Sequence, residues 1–108
     1  MLVSHHLWAE DPRGSVVAVA RVVPPGVSYP EPSIGRVATA MAHRRTGLGR
    51  ELMRRAIAQT EELYAGRDLV ISAQAYLQRF YEELGFRAEG DEYDEDGIPH
   101  VQMRKTSN

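Results

Sequence analysis

The feature that most constrains the fold is one long segment with helical periodicity, flanked on both sides by short runs rich in β-branched residues. From Leu48 to Tyr64, apolar side chains recur every three to four residues, and charged side chains lie mostly on the opposite side. Gly66 is placed to end this helix. An amphipathic helix must bury its apolar side against another element. The flanking runs of β-branched residues predict that this element is a sheet. The predicted buried side is formed by Leu48, Leu52, Met53, Ala56, Ile57, Leu63 and Tyr64.

Six short segments have the composition of strands, and one further segment has that of a second helix. Four prolines between Pro24 and Pro32 require a loop there, and Asp96-Gly97 is a strong turn dipeptide. This order predicts one α/β (α+β) domain over residues 1–108, with a mixed, largely antiparallel sheet of about six strands and two main helices. The predicted strands are Leu2–Ala9, Ser15–Val23, Ile34–Met41, Asp68–Ser72, Phe86–Tyr93 and His100–Arg104, and the second helix is Leu77–Leu84.

The composition removes several classes of function. The 108 residues suffice for one domain, and the absence of cysteine excludes disulfides, thiolate metal sites and a cysteine nucleophile. The formal net charge of −2 gives no electrostatic reason to expect nucleic acid or an anionic membrane as partner. No stretch has the apolar length of a membrane span, and the N-terminus lacks the pattern of a signal peptide, so we expect a cytoplasmic protein.

The segment Arg44-Arg45-Thr46-Gly47-Leu48-Gly49 lies between a predicted strand and the long helix, where an anion is best bound. The first turn of a helix has N–H groups without partners, the helix dipole adds positive charge, and glycine lets a phosphate approach the backbone. Arg44, Arg45 and Arg50 add cationic groups. A basic, glycine-rich helix start without any ligand is the alternative. The segment lacks the lysine and hydroxyl residue of a P-loop and the third glycine of the dinucleotide fingerprint.

Two motifs resemble those of the GNAT acetyltransferases. Arg44-x-x-Gly47-x-Gly49 is similar to the Q/R-x-x-G-x-G/A loop of that family, and Phe80-Tyr81-Glu82-Glu83-Leu84-Gly85-Phe86 is similar to its F-Y-x-x-x-G-F segment. The segments Gln74–Tyr81, Tyr93–His100 and Ile34–Val37 resemble the ElaA-like branch. The resemblance covers nearly the whole chain.

The resemblance implies acetyl-CoA as cosubstrate and direct acyl transfer from its thioester to an amine. Tyr81 then occupies the position of the general acid that protonates the CoA thiolate, although a half-buried tyrosine that only packs on the sheet is the alternative. Backbone N–H groups of Val37–Thr39 stabilise the oxyanion. The residues implied to bind the cosubstrate are Val37, Ala38, Thr39, Arg44, Arg45, Thr46, Gly47, Leu48, Gly49, Arg50 and Gln74, the last at a position where most of the family has Asn.

The general base is not fixed by the sequence. The candidates are Glu92, Glu95 and His100 near the last hairpin, His43 beside the glycine loop, and a chain of water molecules. The acidic cluster Asp91, Glu92, Asp94, Glu95 and Asp96 either attracts a cationic amine or is a solvated loop. Arg21 and Arg36 lie inside strand patterns, and each either pairs with a carboxylate, serves the acceptor cleft or points outward. We expect no metal, because the neighbours His5 and His6 point to opposite faces of a strand.

The N-terminal part differs from the family pattern, in which a strand and two helices precede the first hairpin. We therefore expect an N-terminally shortened form whose exposed edge near Leu2–Ala9 pairs in a homodimer. The acceptor is an unidentified small-molecule or peptide amine. The alternative is a domain of the same fold that binds CoA or another protein without catalysis.

Overall fold

The computed structural model describes residues 5–10, 12–14, 16–39 and 47–107. Six strands and two helices follow one another in the predicted order, with a short 3-10 turn before the second helix. Their bounds are β1 His5–Glu10, β2 Val16–Val23, β3 Ser33–Thr39, α1 Leu48–Leu63, β4 Leu69–Gln74, the turn Ala75–Leu77, α2 Gln78–Glu83, β5 Arg87–Glu95 and β6 Ile98–Lys105. The predicted fold class is thereby confirmed, with boundaries shifted by a few residues.

The strands form two antiparallel sheets of three strands each. One sheet has the order β1-β2-β3 and the other the order β4-β6-β5. The last hairpin turns at Asp96-Gly97, where both residues have positive φ angles of 53° and 79°. Such a turn matches the twist of the flanking strands, which is why this dipeptide favours a hairpin.

The two sheets meet at the beginnings of β3 and β4. The Val70 N–H donates to the Pro32 carbonyl oxygen over 3.0 Å, and this bond joins the start of β4 to the residue before β3. Beyond this bond the two strands belong to different sheets in the described part of the chain. A gap between two strand edges follows, closed at one end by the bond.

Both helices cover the same face of the two sheets. Alternate residues of the strands, such as Val22, Ile71 and Met103, are buried against α1 and α2. On α1, the predicted residues Leu52, Met53, Ala56 and Ile57 are buried, but Leu63 is 42% exposed. Thr60 lies on the buried side instead and satisfies its hydroxyl by donating to the Ala56 carbonyl over 2.7 Å.

The opposite face carries no helix in the described ranges. Its central feature is Arg104, whose guanidinium reaches three carboxylates: Glu89 at 2.5 Å, Glu31 at 3.0 Å and Asp68 at 3.1 Å. These residues come from β5, from the proline-rich loop and from the position just before β4. The ion-pair network therefore ties the second sheet to the loop that leads into β3.

No helix of the described residues is long and apolar enough to cross a membrane.

Candidate active site

The gap between β3 and β4 has an irregular wall on the β3 side. Val19 pairs with Ala38 and Arg21 pairs with Gly35, so two residues of β3 oppose one residue of β2. Such a bulge bends the strand and changes the direction of the neighbouring peptide groups. Because β3 pairs with no described strand other than β2, the backbone of residues 37–39 has its other edge towards the gap.

Helix α1 begins beside this strand with a glycine in the left-handed conformation. Gly47 has a φ angle of 82°, and its carbonyl accepts the first helical hydrogen bond from the Glu51 N–H at 3.0 Å. A side chain at this position would be strained, although a Cβ there would meet nothing within 4 Å. Glycine is therefore required at residue 47 by backbone conformation rather than by space. The N–H groups of the following first turn have no helical partner.

Arg50 connects the first turn of α1 to α2. Its guanidinium contacts the Glu83 carboxylate at 2.5 Å and lies 5.2 Å from the centre of the Phe80 ring. The same contact holds the pKa of Glu83 below its usual range. The sequence predicts Arg50 as one of the cationic groups of the loop. In the structure, the Glu83 carboxylate already neutralises part of the Arg50 charge between the two helices.

Tyr81 is on α2 and lies in the core on the face that the helices cover. It is 6% exposed, and its ring makes edge-to-face contacts with Phe80 and Phe86 at centroid distances of 5.1 and 5.9 Å. Burial, and then the neighbouring Tyr76, raise the pKa of Tyr81. Its hydroxyl therefore keeps its proton over a wider pH range than a free tyrosine, as a proton donor must.

His100 lies on the other face of the same sheet. It is 7% exposed, its Nδ1 is 2.8 Å from the Ile98 carbonyl oxygen, and its Nε2 is 3.2 Å from Glu95 Oε2. The Tyr93 ring stacks on the imidazole at 6.1 Å. His100 is also the ladder partner of Gln74, the last residue of β4, so the histidine lies at the end of the strand that leads into α2.

A group of hydroxyls that the sequence does not reveal lies next to this histidine. The Tyr93 hydroxyl shares a hydrogen bond with the Ser72 hydroxyl, and Ser72 is on β4 two residues before Gln74. Burial, and then the adjacent Tyr93, raise the pKa of Tyr29, which comes from the proline-rich loop. The only sequence signal for this group of hydroxyls is the strand alternation that places Ser72 and Gln74 on one face of β4.

The chain matches the family of acetyltransferase (GNAT) domains over residues 3–107. It belongs to the GNAT family. Among curated relatives, a UPF0039 protein of Synechocystis sp. is 45% identical over 100 residues, and protein ElaA of Escherichia coli is 33% identical over 98 residues. These matches cover 93% and 91% of this chain but only 65% and 62% of the relatives, so the chain spans less than two thirds of their length.

Solved GNAT structures superpose closely on this chain. An acyl-CoA N-acyltransferase from Pseudomonas aeruginosa has a TM-score of 0.86 at 40% identity, with coverage of 95% of this chain and 68% of the other. Escherichia coli ElaA has the same TM-score at 29% identity, with coverage of 94% and 68%. The predicted membership of the GNAT family and likeness to ElaA are thereby confirmed.

The structure brings together some of the predicted GNAT site residues and leaves others undescribed. The backbone of residues 37–39 lines the gap, Gly47 and Leu48 begin α1, Gly49 is half-buried in its first turn, and Gln74 is half-buried at the end of β4. Arg44, Arg45, Thr46 and the base candidate His43 lie outside the described residues, and the side chain of Arg36 is likewise undescribed.

The remaining base candidates differ in their surroundings. Glu92 is exposed on β5, as is most of the acidic cluster, whereas Glu95 contacts His100. Arg21 is half-buried on the helix-free face, and its Nε is buried without a hydrogen-bond partner among the described residues. A buried donor without a partner is costly to the folded state.

Proposed function

We propose that this chain carries out acyl transfer from acetyl-CoA to an amine. The observation that carries the proposal is the gap between β3 and β4, whose bulged edge leads towards a helix that begins at a glycine with positive φ. An extended thioester arm fits beside a strand edge with free peptide groups, because it can pair with them as an added strand does. The phosphates of the same molecule fit the N-terminus of α1.

The cosubstrate contacts follow from this placement. Val37, Ala38 and Thr39 offer backbone groups to the pantetheine arm, and Gln74 closes the other side of the gap from β4. The pyrophosphate is bound by the loop from Arg44 to Arg50, in which Arg45, Thr46, Gly47, Leu48 and Gly49 supply N–H groups and Arg50 supplies the part of its guanidinium that Glu83 leaves open.

The chemistry needs two further groups. As the amine attacks the thioester carbonyl, an oxyanion forms, and in this proposal backbone N–H groups near the β3 bulge stabilise it. The CoA thiolate then leaves and takes a proton from the Tyr81 hydroxyl, whose raised pKa keeps it protonated until that moment. A metal ion has no role in this proposal.

We also propose that the chain forms a homodimer through β1. Among the described residues this strand is at the end of its sheet and pairs only with β2. Trp8 is 57% exposed on it, with its indole N–H donating to Glu10 at 2.8 Å. Leu7 packs against the core, whereas Leu2 lies outside the described residues. An edge strand with an exposed aromatic ring favours pairing with a second copy.

Calorimetry with CoA and acetyl-CoA tests the cosubstrate. We expect both to bind and to raise the melting temperature, because a ligand selective for the folded state stabilises it. Gly49→Asp places a negative charge and a side chain at the proposed phosphate site and should abolish binding. Ala58→Asp is the matched control, since it adds the same charge to an exposed position of the same helix.

Two outcomes limit the proposal in different ways. If Gly49→Asp bound CoA as tightly as the parent chain, the phosphate site would be elsewhere. If the parent bound CoA but transferred no acetyl group to any of a panel of amines, the chain would be a CoA-binding domain without catalysis.

A further inference from the structure

His100 has an arrangement that one proton cannot satisfy. Its two ring nitrogens both face oxygen acceptors, the Ile98 carbonyl at 2.8 Å and the Glu95 carboxylate at 3.2 Å. A neutral imidazole has one N–H and can donate to only one of these two oxygens. When Nδ1 carries the proton, Nε2 presents a lone pair to a carboxylate. Only a second proton, or a cation that donates to both atoms, removes this repulsion.

A primary ammonium group fits this requirement. It carries three N–H donors and one positive charge, so it can donate to His100 Nε2 and to Glu95 Oε2 at once. The imidazole is held for this purpose by the stacked Tyr93 ring and by the Ile98 carbonyl, whereas Glu95 is 52% exposed and reachable from solvent. The Tyr93 hydroxyl is itself held by Ser72 on β4.

The location relative to Tyr81 supports a role in proton transfer. Ala73 and Val101 are in the core beneath the helices, so the adjacent Gln74 and His100 point to the opposite face. Gln74 and His100 are ladder partners, about 5 Å apart at their Cα atoms. The proposed acid and this histidine therefore lie on opposite sides of the sheet, at the end of β4 that borders the gap.

We propose that His100 and Glu95 bind the ammonium group of the acceptor and that His100 Nε2 removes its proton before attack. The inference rests on the proposed acyl transfer and names its acceptor class as a primary amine that arrives as a cation from the helix-free face. Over the reaction the amine nitrogen loses two protons. The first passes through His100 and Glu95 to solvent. After the C–N bond forms and the C–S bond breaks, the second restores the proton that the Tyr81 hydroxyl gives to the CoA thiolate.

Competition with the proton gives a readout that does not require turnover. The groups that face His100 are Glu95 and Tyr93 from β5, Gln74 from β4 and the Ile98 carbonyl, and Tyr29 interacts with Tyr93. Because a second proton on the imidazole and the ammonium occupy the same space, the two compete, and amine affinity should rise with pH.

The experiment is an NMR titration of the full chain, with histidine labelled at Cε1, using butylammonium with and without CoA. The chain has four histidines, and His100→Gln assigns the signal. We expect the His100 signal to move with butylammonium but not with tetramethylammonium, which has the same charge and no N–H. Glu95→Gln should weaken binding several-fold, while Glu61→Gln and His6→Gln, at exposed positions, should leave it unchanged. In an acetyl-transfer assay, His100→Gln should lower turnover about 100-fold without changing CoA affinity.

The outcomes separate this inference from the proposed function. If CoA binds but butylammonium leaves the His100 signal unmoved, or binds the Glu95→Gln variant as tightly at every pH, the inference is wrong and the acyl-transfer proposal stands. If CoA does not bind at all, the proposed function fails, and this inference fails with it. Glu95→Gln changes an exposed side chain, so the test remains decisive even if His100→Gln does not fold.

Discussion

Tyr81→Phe separates the chemical role of this residue from its structural role. Phenylalanine keeps the ring that contacts Phe80 and Phe86 at 5.1 and 5.9 Å and removes only the hydroxyl. The free energy of unfolding should therefore change by no more than about 1 kcal/mol, the usual net value of one hydrogen-bonding group. Turnover should fall about 100-fold or more, because a general acid typically contributes that factor. In activation free energy this is roughly 2.7 kcal/mol.

The assay measures release of the CoA thiol from acetyl-CoA with an amine acceptor, alongside urea unfolding and calorimetry with CoA. Tyr64→Phe is the matched control, because Tyr64 follows α1 and its ring, like that of Tyr81, packs in or against the core. We expect Tyr81→Phe to bind CoA like the parent chain and to unfold at nearly the same urea concentration. Unchanged turnover, with the chemical step shown to limit the rate, would refute the assignment of Tyr81 as the acid.

Two further predictions concern stability and assembly. Arg104→Met removes the shared cation of Glu89, Glu31 and Asp68, so the urea midpoint should fall at neutral pH. Arg104 holds the pKa of Glu89 below its ordinary value of 4.5 in the folded protein; this contribution is present above that value and disappears as the pH falls through the lowered pKa. The deficit of the variant should shrink in acid, and a pH-independent deficit would contradict this account. Trp8→Glu should convert a dimer into a monomer in sedimentation at micromolar concentration, and a parent chain that already sediments as a monomer would exclude the proposed β1 interface.

The local order of the fold can be predicted because local signals agree with one another. The helix from Leu48 is set by its periodicity and by the stop at Gly66, and the last hairpin is set by Asp96-Gly97. Periodicity misplaces Leu63, which is exposed, because Thr60 fits the same stripe and satisfies its hydroxyl within the helix. Strand composition likewise predicts six strands but not their division into two sheets, which depends on where β3 and β4 separate.

The candidate site, like the fold, can be predicted from the sequence only in part. Arg44–Gly49 and Phe80–Phe86 are contiguous motifs, so their chemistry can be inferred from neighbouring residues alone. Other parts of the site join residues from separate elements. These parts are the contact between His100 and Glu95 and the neighbouring hydroxyls of Ser72, Tyr29 and Tyr93.

What the sequence by itself determined is the order of the elements, the GNAT motifs and the identity of Tyr81 as the acid candidate. Only the tertiary structure decided which base candidate is buried. Alternation places His100 with Gln102 and Arg104 on the polar face of β6, where a histidine would be expected in solvent. The Tyr93 ring covers it from the neighbouring strand, and the ladder sets it beside Gln74. Burial depends on which strands become neighbours, and no pattern within a single strand encodes that pairing.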